Sequence, residues 1–168
     1  MNAPEDAAGQ NRRLIETFYS AFQRGDAAAM NACYAPDATF RDPVFQQLQG
    51  ERVRCMWKML TKANPAIDLT YEVGAVSGTE GNATWVAKYI FTATGRSVEN
   101  HVNSHFWFKD CMISRQEDTF DLWRWASMAL GPKGVLTGWL PPAQAQIRAQ
   151  AKGRLDKFMV ADGRTQPL

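Results

Sequence analysis

Four stretches in the middle of the chain decide the fold, because apolar and polar residues tend to alternate along each of them. They read IDLTYEVGAVS (67–77), ATWVAKYIFTAT (83–94), VENHVNSHFWF (98–108) and MISRQEDTFD (112–121). A period of two is typical of β-strands with one buried face. Short turn sequences separate them at Thr79–Asn82, Gly95–Arg96 and Lys109–Asp110. The pattern therefore predicts an antiparallel meander of four long strands.

Helical periodicity surrounds this meander on both sides. Residues 11–24 carry apolar side chains at spacings of three and four, and Gly25 is expected to end that helix. The same reasoning predicts the remaining elements: helices over 27–34, 50–64, 122–130 and 141–159, and a short strand over 38–42 that Pro43 ends. Because the helices are segregated from the long strands, the fold class is α+β.

Composition excludes several classes of protein. The chain has 168 residues, of which 45% are hydrophobic, and this suits one globular domain. A net charge of +2 argues against nucleic acid or an anionic membrane as a partner. No apolar run approaches the roughly 20 residues of a membrane helix, and residues 1–10 do not resemble a signal peptide. The three cysteines include no Cys-x-x-Cys pair, so we expect no zinc site, no disulfide and a reducing, cytoplasmic location.

Particular motifs carry a family resemblance. They are FQRGD (22–26), YAPDATFRDP (34–43), SHFWF (104–108) and QEDTFD (116–121). Together they resemble ketosteroid-isomerase-like and SnoaL-like proteins of the nuclear transport factor two superfamily. The resemblance implies a conical half-barrel, in which three N-terminal helices pack on a curved antiparallel sheet around a deep pocket. It also implies a homodimer through the outer face of the sheet.

This resemblance divides the chain into three parts. Residues 1–10 are expected to form a flexible tail, 11–130 the cone domain, and 131–168 a C-terminal helical arm. The last helix is basic, with Ile147, Ala151, Leu155 and Phe158 on one face. A membrane-surface helix and an arm docked on the cone or on a partner subunit are both compatible with this pattern. The weakness of its apolar face favours the docked arm.

Asp42 is the strongest candidate for catalysis. It matches the position at which ketosteroid-isomerase-like proteins carry the base that moves a proton next to a carbonyl group. Such a base needs an apolar pocket, because desolvation raises the pKa of a carboxyl group. The alternative is a carboxylate that only shapes the Asp42-Pro43 turn by accepting backbone N–H groups.

The expected oxyanion donors differ from those of the isomerase family. Phe18 stands where the resemblance implies a donating Tyr, and Ser104 stands where it implies a protonated Asp. The loss of one such donor typically costs about 10²–10³ in rate. Tyr19 is one residue further along and would point about 100° away on an ideal helix.

Asp118 is the second candidate carboxylate. It matches a water-activating Asp of limonene-epoxide-hydrolase-like proteins and an acid/base Asp of SnoaL-like cyclases. The Arg and Asp partners of the hydrolase correspond to Trp85 and Ala87, so the water-activating triad is incomplete. The alternative is a structural ion pair with Arg115 or Arg124.

Other side chains suit binding better than chemistry. His101 and His105 share a strand face opposite to Ser104, and subunit-interface contacts are favoured over a metal site. A small apolar organic ligand would be held by aromatic and indole side chains, namely Phe18, Phe40, Phe45, Trp57, Trp85, Tyr89 and Phe106. Many of these must also belong to the core. The chain offers no glycine-rich phosphate loop and no metal-ligand set, so no cofactor is predicted.

Two functional hypotheses follow. The first is an isomerase, cyclase or lyase that needs no cofactor. In it Asp42 is the general base, Asp118 is a second acid/base or orienting group, and Ser104 holds the oxyanion together with a neighbouring hydroxyl or indole N–H group. The second is a non-catalytic ligand-binding or dimeric accessory domain.

Overall fold

A computed structural model describes residues 6–65 and 67–163 of the chain. Its helices are α1 (Ala7–Gln23), α2 (Ala27–Ala32), α3 (Glu51–Ala63), α4 (Leu122–Leu130), α5 (Pro132–Thr137) and α6 (Pro141–Ala161). Its strands are β1 (Tyr34–Arg41), β2 (Leu48–Gln49), β3 (Asp68–Val76), β4 (Glu80–Phe91), β5 (Arg96–Lys109) and β6 (Met112–Thr119). The α+β class and the order of the long elements are confirmed.

The first helix begins earlier than its apolar pattern predicts. The side chain of Asp6 caps it by accepting the backbone N–H of Gly9 at 2.8 Å, so α1 already starts at Ala7. The boundary of the predicted flexible tail at residue 10 is therefore wrong, while residues 1–5 lie outside the described part. Gly25 follows the C-cap with a φ of +67°, which suits glycine and allows the predicted sharp end.

The six strands form one curved sheet in the order β2-β1-β6-β5-β4-β3. The predicted meander of β3 to β6 is antiparallel throughout. The β1–β6 pair is parallel, so the sheet is mixed at that side. Tyr34 opens β1 instead of ending α2. The two-residue strand β2 pairs with β1 and was too short for a periodic pattern to predict.

Alternation along β5 separates the two faces of the sheet. Val102, Ser104 and Phe106 are buried on the concave side, which packs against the helices. His101 and His105 lie on the opposite face, as predicted. The concave face of β5 therefore contributes its side chains to the interior of the cone, where the candidate site lies.

The C-terminal segment packs on the same core. Pro132 both ends α4 and opens α5, a short helix that the sequence pattern did not predict. On α6, Leu155 and Met159 are 0% and 2% exposed, and they belong to the core cluster. Arg52 of α3 pairs with Asp156 of α6 at 2.7 Å. The arm therefore docks on its own cone. In the part of the chain that the structure describes, no helix is long and apolar enough to cross a membrane.

Candidate functional site

A cavity of about 620 Å³ lies between the concave face of the sheet, α3 and α6. Ligand pockets commonly measure about 300–1,000 Å³. Five of the seven predicted ligand-binding residues line it: Phe40, Phe45, Trp57, Trp85 and Tyr89. The walls are therefore largely aromatic and aliphatic, as the predicted ligand class requires.

Phe18 and Phe106 do not line this cavity, so that part of the prediction is wrong. Both side chains are 0% exposed. Phe18 packs edge-on against Tyr34 and Trp57, with ring centroids 5.6 and 5.4 Å apart. Both residues point inward as the periodicity predicts, but they belong to the core cluster and not to the cavity wall.

Asp118 reaches the cavity from β6 and is 4% exposed. Its Oδ1 accepts hydrogen bonds from Ser104 Oγ at 2.6 Å and from Gln116 Nε2 at 2.9 Å. No donor in the described part of the chain reaches Oδ2, which leaves this oxygen free for a ligand. Burial raises the pKa of Asp118 to about 7 against the effect of the two hydrogen bonds, and the charge of Asp42 adds to the rise. The alternative ion pair is not observed among the described residues, where Arg115 bonds Glu117 and no ion pair joins Asp118 to Arg124.

Ser104 lies behind Asp118 and does not line the cavity. Its hydroxyl accepts hydrogen bonds from Tyr19 at 2.8 Å and from Trp85 Nε1 at 2.9 Å. Since its single proton is directed to Asp118, Ser104 positions that carboxyl group and is not placed to hold an oxyanion directly. The expectation that Tyr19 points away is also wrong. The buried face of α1 is wide enough to include both Phe18 and Tyr19.

A second chain of hydrogen bonds fixes Gln116. Trp57 Nε1 donates to the Tyr34 hydroxyl at 3.0 Å, and that hydroxyl donates to Gln116 Oε1. This contact orients the amide so that its NH₂ group faces Asp118. These residues come from β1, α3 and β6, and no local sequence pattern connects them.

Asp42 lies directly after β1 and also lines the cavity. Its Oδ1 accepts the backbone N–H groups of Val44, at 2.7 Å, and of Phe45. The turn-shaping geometry and the cavity-facing position are thus both present. Burial raises the pKa of Asp42 to about 6, and the two backbone hydrogen bonds oppose the rise. No described residue donates to its Oδ2.

Tyr89, predicted only as a ligand contact, also offers a hydrogen-bond donor. Its hydroxyl accepts a hydrogen bond from Trp125 Nε1 at 2.8 Å. Its own proton has no acceptor among the described residues, so it can be donated to a ligand. Burial raises the pKa of Tyr89, and the charge of Asp42 contributes, so the proton is retained at neutral pH. Trp125 also lines the cavity.

The histidines lie outside this site. His101 contacts Glu99 and His105 contacts Glu80, each at 2.8 Å on the outer face of the sheet. Trp107 lies between the ring of His105, at 4.0 Å, and the guanidinium of Arg115, at 4.3 Å. Within residues 6–65 and 67–163, no three potential metal ligands cluster.

A family model for the SnoaL-like domain matches residues 15–116. The chain belongs to this family. We found no match among curated protein sequences.

Several solved structures have the same fold as this SnoaL-like chain. A candidate polyketide cyclase from Xanthomonas campestris pv. campestris is 23% identical, with a TM-score of 0.62 over 74% of this chain and 99% of its own. An LEH-like epoxide hydrolase from M. tuberculosis is 19% identical, with a TM-score of 0.59 over 80% and 98%. A ketosteroid isomerase-like protein from Erwinia carotovora atroseptica is 16% identical, with a TM-score of 0.56 over 69% and 97%. At these identities the likeness establishes the SnoaL-like fold.

Proposed function

We propose that this SnoaL-like protein is an enzyme of the isomerase, cyclase or lyase type that transfers a proton on a small apolar carbonyl compound. One observation carries the proposal. Two carboxyl groups, the buried Asp118 and the half-buried Asp42, face a single apolar cavity, and each has one oxygen held by donors and the other free of donors among the described residues. Titratable pairs whose surroundings separate their pKa values are typical of acid/base sites.

Asp42 is assigned the base because it occupies the position of the base in ketosteroid-isomerase-like proteins, and Asp118 the acid because it is the more deeply buried carboxyl group. Near neutral pH the ionised form of Asp42 accepts a proton from the carbon next to the carbonyl group. The C–H electron pair moves toward the carbonyl oxygen, where Asp118 in its protonated form donates a hydrogen bond or its proton. Asp42 then returns its proton to another carbon of the conjugated system, the carbonyl group re-forms, and Asp118 recovers any proton that it gave to the oxygen. Because each charge disfavours the other, the pair carries about one negative charge between pH 6 and 7.

The hydroxyl of Tyr89 supports the same reaction. It lines the same cavity as Asp42, and its proton has no acceptor among the described residues. A neutral phenol that donates to a developing enolate would serve as the oxyanion donor, the role predicted for Ser104. Ser104 and Gln116 hold Asp118 in a fixed orientation.

Hydrogen–deuterium exchange tests this proposal without the natural substrate. 2-Tetralone is an apolar bicyclic ketone with exchangeable protons next to its carbonyl group, and NMR in D₂O follows their loss. We expect the wild type to accelerate exchange, with a maximum between about pH 6 and 7, and Asp42→Asn to lose roughly 10²–10⁴ of the acceleration. Asp37→Asn, an exposed change on β1 with the same charge difference, is the control. An unchanged rate in Asp42→Asn would refute the mechanism.

A ligand-binding domain without catalysis is the second candidate. The largely apolar walls favour it, as do Trp85 and Ala87, which occupy the positions of the hydrolase partners and line the cavity. This candidate predicts saturable binding of 2-tetralone, measured by tryptophan fluorescence, with no acceleration of exchange at any pH.

A further inference from the structure

The C-terminal helix α6 forms one wall of the cavity. Its cavity-lining residues recur at helical spacing, and they are Ile147, Gln150, Ala151, Arg154, Lys157 and Phe158. The helix lies outside the residues that the SnoaL-like family model matches, which end at 116. The wall is therefore a feature of this chain that the family match does not include.

The position of α6 is fixed by contacts on its other faces. Leu155 is fully buried in the core. Asp156 pairs with Arg52 of α3 at 2.7 Å, and Asp162 pairs with Lys58 at 3.2 Å. Arg148 Nε donates to the backbone oxygen of Pro43 at 2.9 Å. These contacts hold the cavity-facing side chains of the helix in place.

Two cations on that wall have no carboxylate partner in the described part of the chain. They are Arg154 and Lys157, which are three residues apart and are both exposed at the mouth of the cavity. The guanidinium of Arg154 lies 5.7 Å from the ring centroid of Phe91, another lining residue. No acceptor among the described residues bonds its N–H donors, so they are available to a ligand. The nearest acidic residue of α6, Asp156, is engaged by Arg52 and Lys152.

The carboxyl groups inside the cavity do not neutralise these cations either. Asp118 is held by Ser104 and Gln116, and Asp42 by backbone N–H groups. The cavity is therefore divided by charge, with acid/base groups and aromatic rings inside and unpaired cations at the entrance. A ligand that satisfies both parts has an apolar body and an anionic end.

We propose that Arg154 and Lys157 form an anion subsite, so that the molecule taken by this cavity is an amphipathic organic anion, with a carboxylate, sulfonate or phosphate group at the α6 end. The inference rests on the proposed function, since it names the substrate class of the same cavity. Its test, however, needs no turnover.

Two fluorescent probes isolate the charge. 8-Anilinonaphthalene-1-sulfonate and N-phenyl-1-naphthylamine share the same aromatic skeleton, and only the first carries a sulfonate. We expect the wild type to bind the sulfonate probe more tightly, with a preference that weakens as salt is raised from about 50 to 500 mM. In Arg154→Gln/Lys157→Gln, we expect the affinity for the sulfonate to fall roughly five- to tenfold, and the affinity for the neutral probe to change less than about twofold.

The control is Lys109→Gln/Lys133→Gln, which removes two exposed cations that do not line the cavity and changes the net charge equally. It should retain the preference for the sulfonate. Equal affinities of the wild type for both probes, an equal loss in the control, or failure of both probes to bind would overturn the subsite. Because neither probe exchanges carbon-bound protons, these results are independent of the 2-tetralone experiment. A charge preference without any catalysed exchange would leave the subsite standing and refute the enzyme proposal.

Discussion

The buried carboxyl group of Asp118 should make the protein less stable as the pH rises, and Asp118→Asn should remove this effect. In the unfolded chain Asp118 loses its proton near the ordinary value of 3.8, whereas in the folded protein its pKa is about 7. Between these values the folded state holds a proton that the unfolded state has lost. The free energy of unfolding therefore falls as the pH rises from about 4 to 7, and the contribution of this group is constant above that range.

The size of the effect follows from the two pKa values. A difference of about three pH units, at about 1.36 kcal/mol each, gives roughly 4 kcal/mol above pH 8. At pH 5 most of the difference has not yet developed, and the same relation gives roughly 2 kcal/mol. Asn has the shape of Asp, and its oxygen can accept the same hydrogen bonds from Ser104 and Gln116.

Urea denaturation at pH 5 and pH 8 measures the difference. We expect the stability of Asp118→Asn relative to wild type to increase by about 2–3 kcal/mol between the two pH values. Asp37→Asn, with the same change in charge at an exposed site, corrects for net charge. If the relative stability of Asp118→Asn does not change with pH, the carboxyl group is not desolvated and the acid/base assignment loses its basis.

Three further outcomes test other parts of the molecule. Tyr89→Phe removes the acceptor of Trp125 Nε1, so we expect the free energy of unfolding in urea to fall by about 1–3 kcal/mol. The 2-tetralone exchange should slow roughly 10²-fold. Exchange at the wild-type rate would exclude the phenol as a donor. Leu155→Ala should destabilise the protein by about 2–5 kcal/mol because this side chain of α6 is fully buried, whereas a loss below 1 kcal/mol would show that α6 contributes little to the core. Sedimentation should reveal a homodimer through the outer sheet face that Trp107→Glu dissociates; a monomeric wild type would contradict this arrangement.

The sequence predicts the fold well where a periodic pattern extends over several turns or residues. The four long strands and α4 follow from alternation, from helical spacing and from turn residues that act locally. The shorter elements cannot be predicted in this way. Two residues of β2 cannot display a period, and Pro132 is equally compatible with a break and with the first residue of α5.

The candidate site is predicted less completely, because its contacts join residues that are distant in the sequence. Asp42 and Asp118 were identifiable from motifs, and both line the cavity. The partners of Asp118 depend on packing. Tyr19 and Ser104 are 85 positions apart, and the direction of the Tyr19 side chain depends on how deeply α1 lies in the cone. An ideal helical wheel gives the angle between Phe18 and Tyr19 but not the width of the face that the sheet buries.

A single bulged residue determines which carboxyl group enters the cavity. In the β5–β6 hairpin, Phe108 pairs with Ile113, but Trp107 pairs with Arg115, so Ser114 is an extra residue on β6. Its hydroxyl donates to the Trp107 carbonyl at 3.0 Å. Without the bulge, regular pairing of the same sequence from the turn would place Glu117 opposite Ser104.

The bulge instead places Asp118 opposite Ser104 and reverses the faces of the residues beyond it. Arg115 and Glu117 then turn outward, where they bond each other, while Gln116 and Asp118 turn into the cone. Strict alternation from Ile113 would have buried Arg115 and Glu117 as a charged pair. The position of the acid in the site thus depends on a local irregularity near the turn, which an alternating pattern cannot reveal.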